Sequence, residues 1–340
     1  RRMHNKSLTA DNSLSIIGGR NIGNEYFDAY ATIEFADLDL LIAGHVVDQI
    51  SDSFDLYWNY PLSYPIDAIA CKKLSDSVTQ DQLQQLRTAG KNGLGTHYTN
   101  RLEQTQLASQ HGDLVWYTGK LNLLFDHPSK ARPETHPRSQ PDKFMIEQLP
   151  SVVGEITQEM IIVSAYFVPG KDGVDYFTEL VKKGLNVVII TNSLAATDVK
   201  VVHAGYAKYR KALLKGGVRL YELRALTREH HIDDTEHLNL KKSGYRFFQS
   251  SKASLHAKSL FFDREKTFVT SMNFDPRSFH LNTEVGIMVD HPEFTEDAIE
   301  TLYYGLKQKA YRLTLDDKDK LQWQAEDEDG SIHTFSKDPH

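Results

Sequence analysis

The 340-residue chain is 40% hydrophobic and 25% charged, the balance of a soluble globular fold, and its length suggests about two domains. No run reaches the roughly 18 apolar residues that a membrane span needs, and residues 1–30 contain no signal-peptide apolar core, so the expected protein is soluble or at most rests on a membrane surface. The formal net charge of −7 argues against a generally basic nucleic-acid binder, and the single cysteine, Cys71, excludes an internal disulfide and a multi-cysteine zinc site and suits a reducing compartment.

In chain order, Met3 to Leu8 and Leu14 to Ile17 read as strands, with Gly18-Gly19 letting the backbone approach a ligand closely. Ile33 to Ala36 and Leu38 to Ala43 are further strand material, and Val46 to Phe54 is a helix followed by an aromatic, proline-rich loop from Tyr57 to Pro65. Asp81 to Ala89 and His97 to Ser109 have helical spacing, while Leu114 to Tyr117 and Leu121 to Phe125 resemble strands. Pro128, Pro133, Pro137 and Pro141 then interrupt regular structure. The expected organisation is a first domain over 1–125, a linker over 126–142 and a second domain over 143–340.

The second half alternates in the manner of an α/β layer: helix Phe144 to Ile156, strand Met160 to Phe167, helix Val174 to Lys183, strand Val187 to Ile190, helix Val199 to Lys215 and strand Val218 to Leu223. Tyr166-Phe167 stands where such folds place ligand contacts, with core packing an equal alternative. The stretch Arg224 to Ser254 is polar. Its His230, His231, Asp233, Asp234 and His237 are metal-ligand types, but on a loop they read as solvated and no metal is expected. Strands Leu255 to Phe262, Phe268 to Met272 and Glu284 to Val289, a helix from Glu296 to Leu313, and a hairpin from Gln322 to Phe335 around Asp329-Gly330 complete the chain.

Two of these strands carry the same signature. His4, Lys6 and Asp11 form one H-x-K-x(4)-D motif and His256, Lys258 and Asp263 a second, and on an extended strand His and Lys two apart share a face. Asn21 follows His4 by 21 − 4 = 17 residues and Asn273 follows His256 by 273 − 256 = 17, each after small residues. A lone H-x-K would be an ordinary strand face; the matched pair is not.

The duplicated motif resembles the phospholipase D superfamily. The phrases Gly18 to Gly23, Phe54 to Asn59, Thr191 to Leu194 and Asp198 to Tyr206 are similar to those of C-type bacterial cardiolipin synthases within it. The resemblance implies two pseudo-symmetric α/β halves, each a mixed sheet flanked by helices, with one active site in the cleft between them. It implies that Asp11 and Asp263 orient the imidazoles, although strand-end support is the alternative role. It also matches Glu284, in Asn282-Thr283-Glu284, to a position near the second histidine, where a surface charge is the plain alternative. The chain opens directly on its first motif, whereas helix and strand units precede the second. By symmetry, a comparable segment is expected ahead of His4.

A phosphodiester displacement needs a nucleophile, charge neutralisation and a proton for the departing alkoxide. Two histidines, two lysines and two asparagines supply these without a cofactor. One imidazole attacks and the other serves as acid and then base; the resemblance assigns the attack to His4 and the acid role to His256. It implies phosphatidyl transfer to phosphatidylglycerol, with phospholipid substrates, peripheral contact at the inner face of a bacterial plasma membrane and no nucleic acid. Phospholipase D hydrolysis, a nucleic-acid phosphodiesterase and an inactive scaffold are the rival readings. Oligomeric state is not legible.

Overall fold

The computed structural model of the chain describes residues 1–27, 34–69, 76–92, 115–131, 144–225, 253–327 and 329–339. The expected helix at His97 to Ser109, the prolines 133, 137 and 141, Cys71 and the polar stretch with His230, His231, Asp233, Asp234 and His237 lie outside the described residues.

Fifteen strands are described, and in chain order they are β1 Ser7–Ala10, β2 Leu14–Gly18, β3 Glu34–Ala36, β4 Asp39–Ala43, β5 Lys120–Phe125, β6 Glu159–Ser164, β7 Asn186–Asn192, β8 Arg219–Leu223, β9 Ala253–Leu255, β10 Lys258–Phe262, β11 Lys266–Thr270, β12 Val285–Asp290, β13 Ala310–Leu315, β14 Leu321–Glu326 and β15 Ile332–Phe335. Ten of them make one mixed sheet, ordered β15-β14-β13-β8-β7-β6-β10-β11-β12-β5. Only β6-β7-β8 is parallel within it, joined by helices Gly170–Lys182, Lys200–Ala207 and Arg210–Lys215. The near-continuous apolar runs of β6 and β7 suit strands covered on both faces. One face packs on helices Met145–Val153 and Gly170–Lys182 through Met145, Leu149 and Phe177. The other meets helix Pro292–Lys309 and the first half through Ile17, Leu40 and Ile50.

The first half is a three-stranded sheet, β1-β2-β4, and it repeats β10-β11-β12. Ser7 pairs with Ile17 as Ser259 pairs with Val269, and Ala10 with Leu14 as Phe262 with Lys266. The offset is 259 − 7 = 252 throughout, and Asp11-Asn12 and Asp263-Arg264 turn with the same positive φ at both residues. Beyond the second strand the offset changes. Ile16 faces Leu41 and Phe268 faces Met288, so 288 − 41 = 247: the first half holds five extra residues before β4.

The same comparison exposes a difference in burial. Leu8, Ile16 and Leu41 form a row across the outer face of the small sheet and are 68%, 40% and 50% exposed, whereas their counterparts Leu260, Phe268 and Met288 lie in the helix-covered core. Among the described residues no strand pairs with the second edge of β1.

Several expectations need correction. Residues 115–119 form no strand; Val115 and Trp116 are exposed, and the Tyr117 hydroxyl donates to Asp297 on helix Pro292–Lys309. The helix expected over Val199 to Lys215 is two helices with a break at 208–209, and the last helix stops at Lys309 because Ala310 begins to pair with Leu223. The strand at the end of the expected first domain, β5, pairs with β12. The start of the expected linker is buried beside it: Asp126 accepts from Lys130 Nζ at 2.7 Å and from the amides of Met145 and Glu284 at 2.8 Å.

Candidate active site

Both motif histidines lie just outside regular strand, at the entrance to β1 and β10. Backbone contacts across the two halves hold each in place. His4 N donates to Thr283 O at 2.9 Å, and Thr283 N to Arg2 O at 3.1 Å. The amides of His256 and Ala257 both donate to Ala36 O, at 2.8 and 2.9 Å, because β3 runs parallel to β9 and brings the end of the first-half strand alongside the second motif. Each lysine then folds back on its own motif: Lys6 Nζ donates to His4 O at 2.9 Å, and Lys258 Nζ to His256 O.

Each imidazole meets a carboxylate from the other half. His4 Nδ1 lies 2.8 Å from Glu284 Oε2, and His256 Nδ1 lies 2.6 Å from Asp37 Oδ2. An ionised carboxylate only accepts, so it fixes the proton on Nδ1 and leaves Nε2 as the reactive nitrogen of both rings. Asp37 and Glu284 are counterparts, since 284 − 37 = 247 is the offset of β4 and β12. Their supports differ in a compensating way. Ser271 Oγ donates to Glu284 Oε2 at 2.6 Å, while the equivalent residue is Gly19, where any side chain would collide with the shorter Asp37 carboxylate. Of the glycine pair expected to approach a ligand, Gly19 admits Asp37, and Gly18 admits Asp39 and the Leu38 carbonyl.

Sequence reasoning missed Asp37. The spacing from asparagine to carboxylate is 37 − 21 = 16 in the first half and 284 − 273 = 11 in the second, so a search for equal spacing fails. Tyr26 was also missed and carries no motif signal. Its hydroxyl accepts from Asn21 Nδ2 at 2.7 Å and reaches His256 Nε2 at 3.4 Å, and its ring, with that of Phe35, packs on the imidazole.

The charges are tightly coupled. Burial and the neighbouring Lys258 bring Lys6 down to about 8. Burial also lowers Lys258, against the pull of Asp37 and Glu284. Burial and Lys258 lower His256, opposed by Asp37. Burial alone would raise Asp37, but the hydrogen bond from His256 and the Lys258 charge hold it below the ordinary carboxylate value. Lys6, Lys258, His256 and Asp37, from the two motifs and the two halves, thus share one electrostatic environment.

The remaining expected residues are dispersed more widely. Asn273 is buried, and its Oδ1 accepts from Tyr166 N at 3.4 Å. Asp263 takes the strand-end role: its carboxylate accepts from Thr157, Gln158 and Glu159 amides, each at 2.8 Å, at the far end of β10. Asp11 stands on the equivalent exposed turn. Neither meets a histidine in the described contacts, and orientation of the imidazoles falls to Asp37 and Glu284. Phe167 belongs to the core with Phe177 and Phe274, while Tyr166 donates to Asp198 Oδ2 at 2.8 Å. Among the described residues no group of His, Cys, Asp and Glu could hold a metal ion.

Two H-x-K motifs joined across a duplicated sheet, each histidine braced by a carboxylate of the other half, define a phospholipase D-like centre, and the chain belongs to the phospholipase D superfamily. The family model described as "Cardiolipin synthase, PLD-like domain" matches residues 153–303. Cardiolipin synthase C of Escherichia coli is 36% identical over 328 residues, covering 95% of this chain and 66% of that protein. An uncharacterized protein of Helicobacter pylori is 31% identical over 334 residues, covering 98% of this chain and 62% of its own length. The crystal structure of phosphatidylserine synthase from Haemophilus influenzae superposes with a TM-score of 0.55 at 14% identity, over 92% of this chain and 63% of that one, and shares its fold. The chain therefore spans slightly less than two thirds of the length of these curated relatives.

Proposed function

We propose that the chain carries the active centre of a phosphatidyltransferase of the cardiolipin synthase type, working by double displacement. A phospholipid phosphodiester enters between Lys6 and Lys258, whose ammonium groups neutralise its nonbridging oxygens with help from Asn21 and Asn273. The Nε2 lone pair of His4 attacks phosphorus; the bond to the headgroup oxygen breaks, and that oxygen takes the Nε2 proton of His256. The product is a free headgroup alcohol and a phosphatidyl-histidine. In the second step His256 takes the proton of an incoming hydroxyl, the hydroxyl oxygen attacks phosphorus, and the P–N bond to His4 breaks. With phosphatidylglycerol as acceptor the product is cardiolipin; with water it is phosphatidic acid.

The observation that supports this reading best is the crossed pairing of His4 with Glu284 and His256 with Asp37 through Nδ1, which turns Nε2 of each ring to the chemistry, the Tyr26 hydroxyl at 3.4 Å from His256 Nε2 giving way to the phosphodiester. The more accessible ring is His4, with 19% of its side chain exposed against 8% for His256, in keeping with His4 as nucleophile. His256 must start protonated, although burial and Lys258 lower it in the free protein. The single negative charge of the arriving phosphodiester counters part of the ammonium charge beside His256 and so raises its proton affinity.

No helix among the described residues is long and apolar enough to cross a membrane. The proposed setting is peripheral, on the cytoplasmic face of a bacterial membrane, where both lipid substrates lie. The test is to supply labelled phosphatidylglycerol and phosphatidylethanolamine in vesicles and resolve the products. Cardiolipin supports transfer. Phosphatidic acid alone would make the protein a hydrolase of the same chemistry, and neither product would refute the proposal.

A further inference from the structure

Asn192, the last residue of β7, is buried and spends its side chain on the residue next to His256. Its Oδ1 accepts from Leu255 N at 2.9 Å and its Nδ2 donates to Leu255 O at 2.9 Å. A third contact runs from Nδ2 to Ala165 O at 3.3 Å. The amide thus imitates a strand neighbour for a single residue, at the point where β9 ends. On the other side of the same backbone, Ala36 O receives the amides of His256 and Ala257. One clamp comes from each half.

Behind Asn192 stands a second layer. His203, from helix Lys200–Ala207, faces the Asn192 backbone with one ring nitrogen, and its Nε2 meets Arg210 Nη2 at 2.5 Å. A guanidinium only donates, so this imidazole is an acceptor at Nε2 and neutral, consistent with burial and Arg210 bringing it down to about 4. Arg210 is in turn fixed by Glu222 at 2.7 Å and Asp338 at 3.0 Å, and Trp323 Nε1 donates to Glu222 at 2.9 Å. Arg210 and His203 thus stand behind Asn192, with His203 and Asn192 lining one small cavity.

We propose that Asn192 is a positioning residue for His256, holding the backbone before it so that the ring keeps its alignment with Asp37 and with the reacting phosphate, and that His203 and Arg210 brace Asn192 from behind. The proposal rests on the double-displacement reading for its kinetic consequence, while its structural consequence is independent of that reading. A positioning error of about 1 Å costs on the order of a hundredfold in rate, without weakening contacts that bind the lipid.

The test compares Asn192→Ala with Thr191→Val. Thr191 is the preceding buried residue and reaches Ala165 O at 3.5 Å, with no described bond to Leu255. Two quantities are read: kcat and KM for phosphatidyl transfer, and the ring resonances of His256 by NMR in the full chain. Asn192→Ala should lower kcat about 10- to 100-fold with KM within about twofold, and shift the His256 signals towards those of a more solvated imidazole. Thr191→Val should change neither. If the two variants behave alike in both readouts, Asn192 is merely structural and the proposal is overturned. Should the wild-type chain release no lipid product, the functional reading fails and the His256 resonances alone decide: a shift confined to Asn192→Ala sustains the positioning role, and no shift overturns it. If Asn192→Ala does not fold, Asn192→Asp replaces it, since its carboxylate keeps the acceptor for Leu255 N but sets a negative charge against Leu255 O and Ala165 O; the same two outcomes apply.

Discussion

Asp37, from the first half of the chain, grips the imidazole of His256 in the second at 2.6 Å, and Glu284 returns the same contact to His4 at 2.8 Å. Neither histidine is oriented by the aspartate of its own motif, although Lys258 Nζ lies 3.1 Å from His256 Nδ1. Replacing Asp37 by Asn removes the charge while keeping the shape, and allows the ring to adopt the wrong tautomer. In a related arrangement that loss lowers kcat by about 10⁴. Asp37→Asn and Glu284→Gln should each lower kcat by about 10²- to 10⁴-fold with little change in KM, measured by steady-state phosphatidyl transfer at saturating lipid.

The lysines predict a pH dependence. Burial and Lys258 bring Lys6 down to about 8, so it is charged below that pH and neutral above it. In the proposed mechanism His256 must be protonated and the charged Lys6 neutralises the phosphate, so kcat/KM, which reports the free protein, should fall first as His256 loses its proton, below the ordinary imidazole value, and more steeply again as pH rises through about 8. In Lys6→Arg the guanidinium stays charged, so the second, steeper fall should move to higher pH while the first is kept. A pH–rate profile of both proteins checks this.

Phosphate neutralisation by ammonium and amide groups predicts insensitivity to chelators. Transfer measured after EDTA treatment and desalting should equal that of the untreated protein. Loss of activity restored by one divalent metal would contradict the assignment of this role to Lys6 and Lys258.

The two related sheets predict opposite mutational costs. Leu260→Ala empties a position in the helix-covered core and should cost about 2–5 kcal/mol. Leu8→Ala, at the equivalent place on the outer face, should fall within about 0.5 kcal/mol of the parent. Denaturant unfolding of the two variants measures the difference; equal costs would mean that Leu8 is buried in solution.

Much of the architecture could be read from the residues. The paired H-x-K motifs and equal 17-residue spacings to Asn21 and Asn273 reflect a register that the two sheets share residue for residue, and continuous apolar runs such as Val187 to Ile190 marked the covered strands. What the sequence concealed depends on contacts between distant segments. Five extra residues before β4 hid the equivalence of Asp37 and Glu284. The pairing of β3 with β9 and of β5 with β12 leaves no local pattern, because a strand's composition reports burial rather than its partner. Asp263 misled for a related reason: it belongs to the motif in sequence, yet its carboxylate serves the turn at the far end of β10.

The central claim is a covalent intermediate on one histidine of a site built by both. The most direct measurement is to mix His256→Ala with a phospholipid carrying a labelled phosphate and a leaving group that needs no proton, such as p-nitrophenol, quench under conditions that preserve phosphohistidine, and map the label by mass spectrometry. The account predicts stoichiometric label on His4, because the first step proceeds and the second, which needs His256 as base, stalls. Release of p-nitrophenol with no label on any histidine would contradict it.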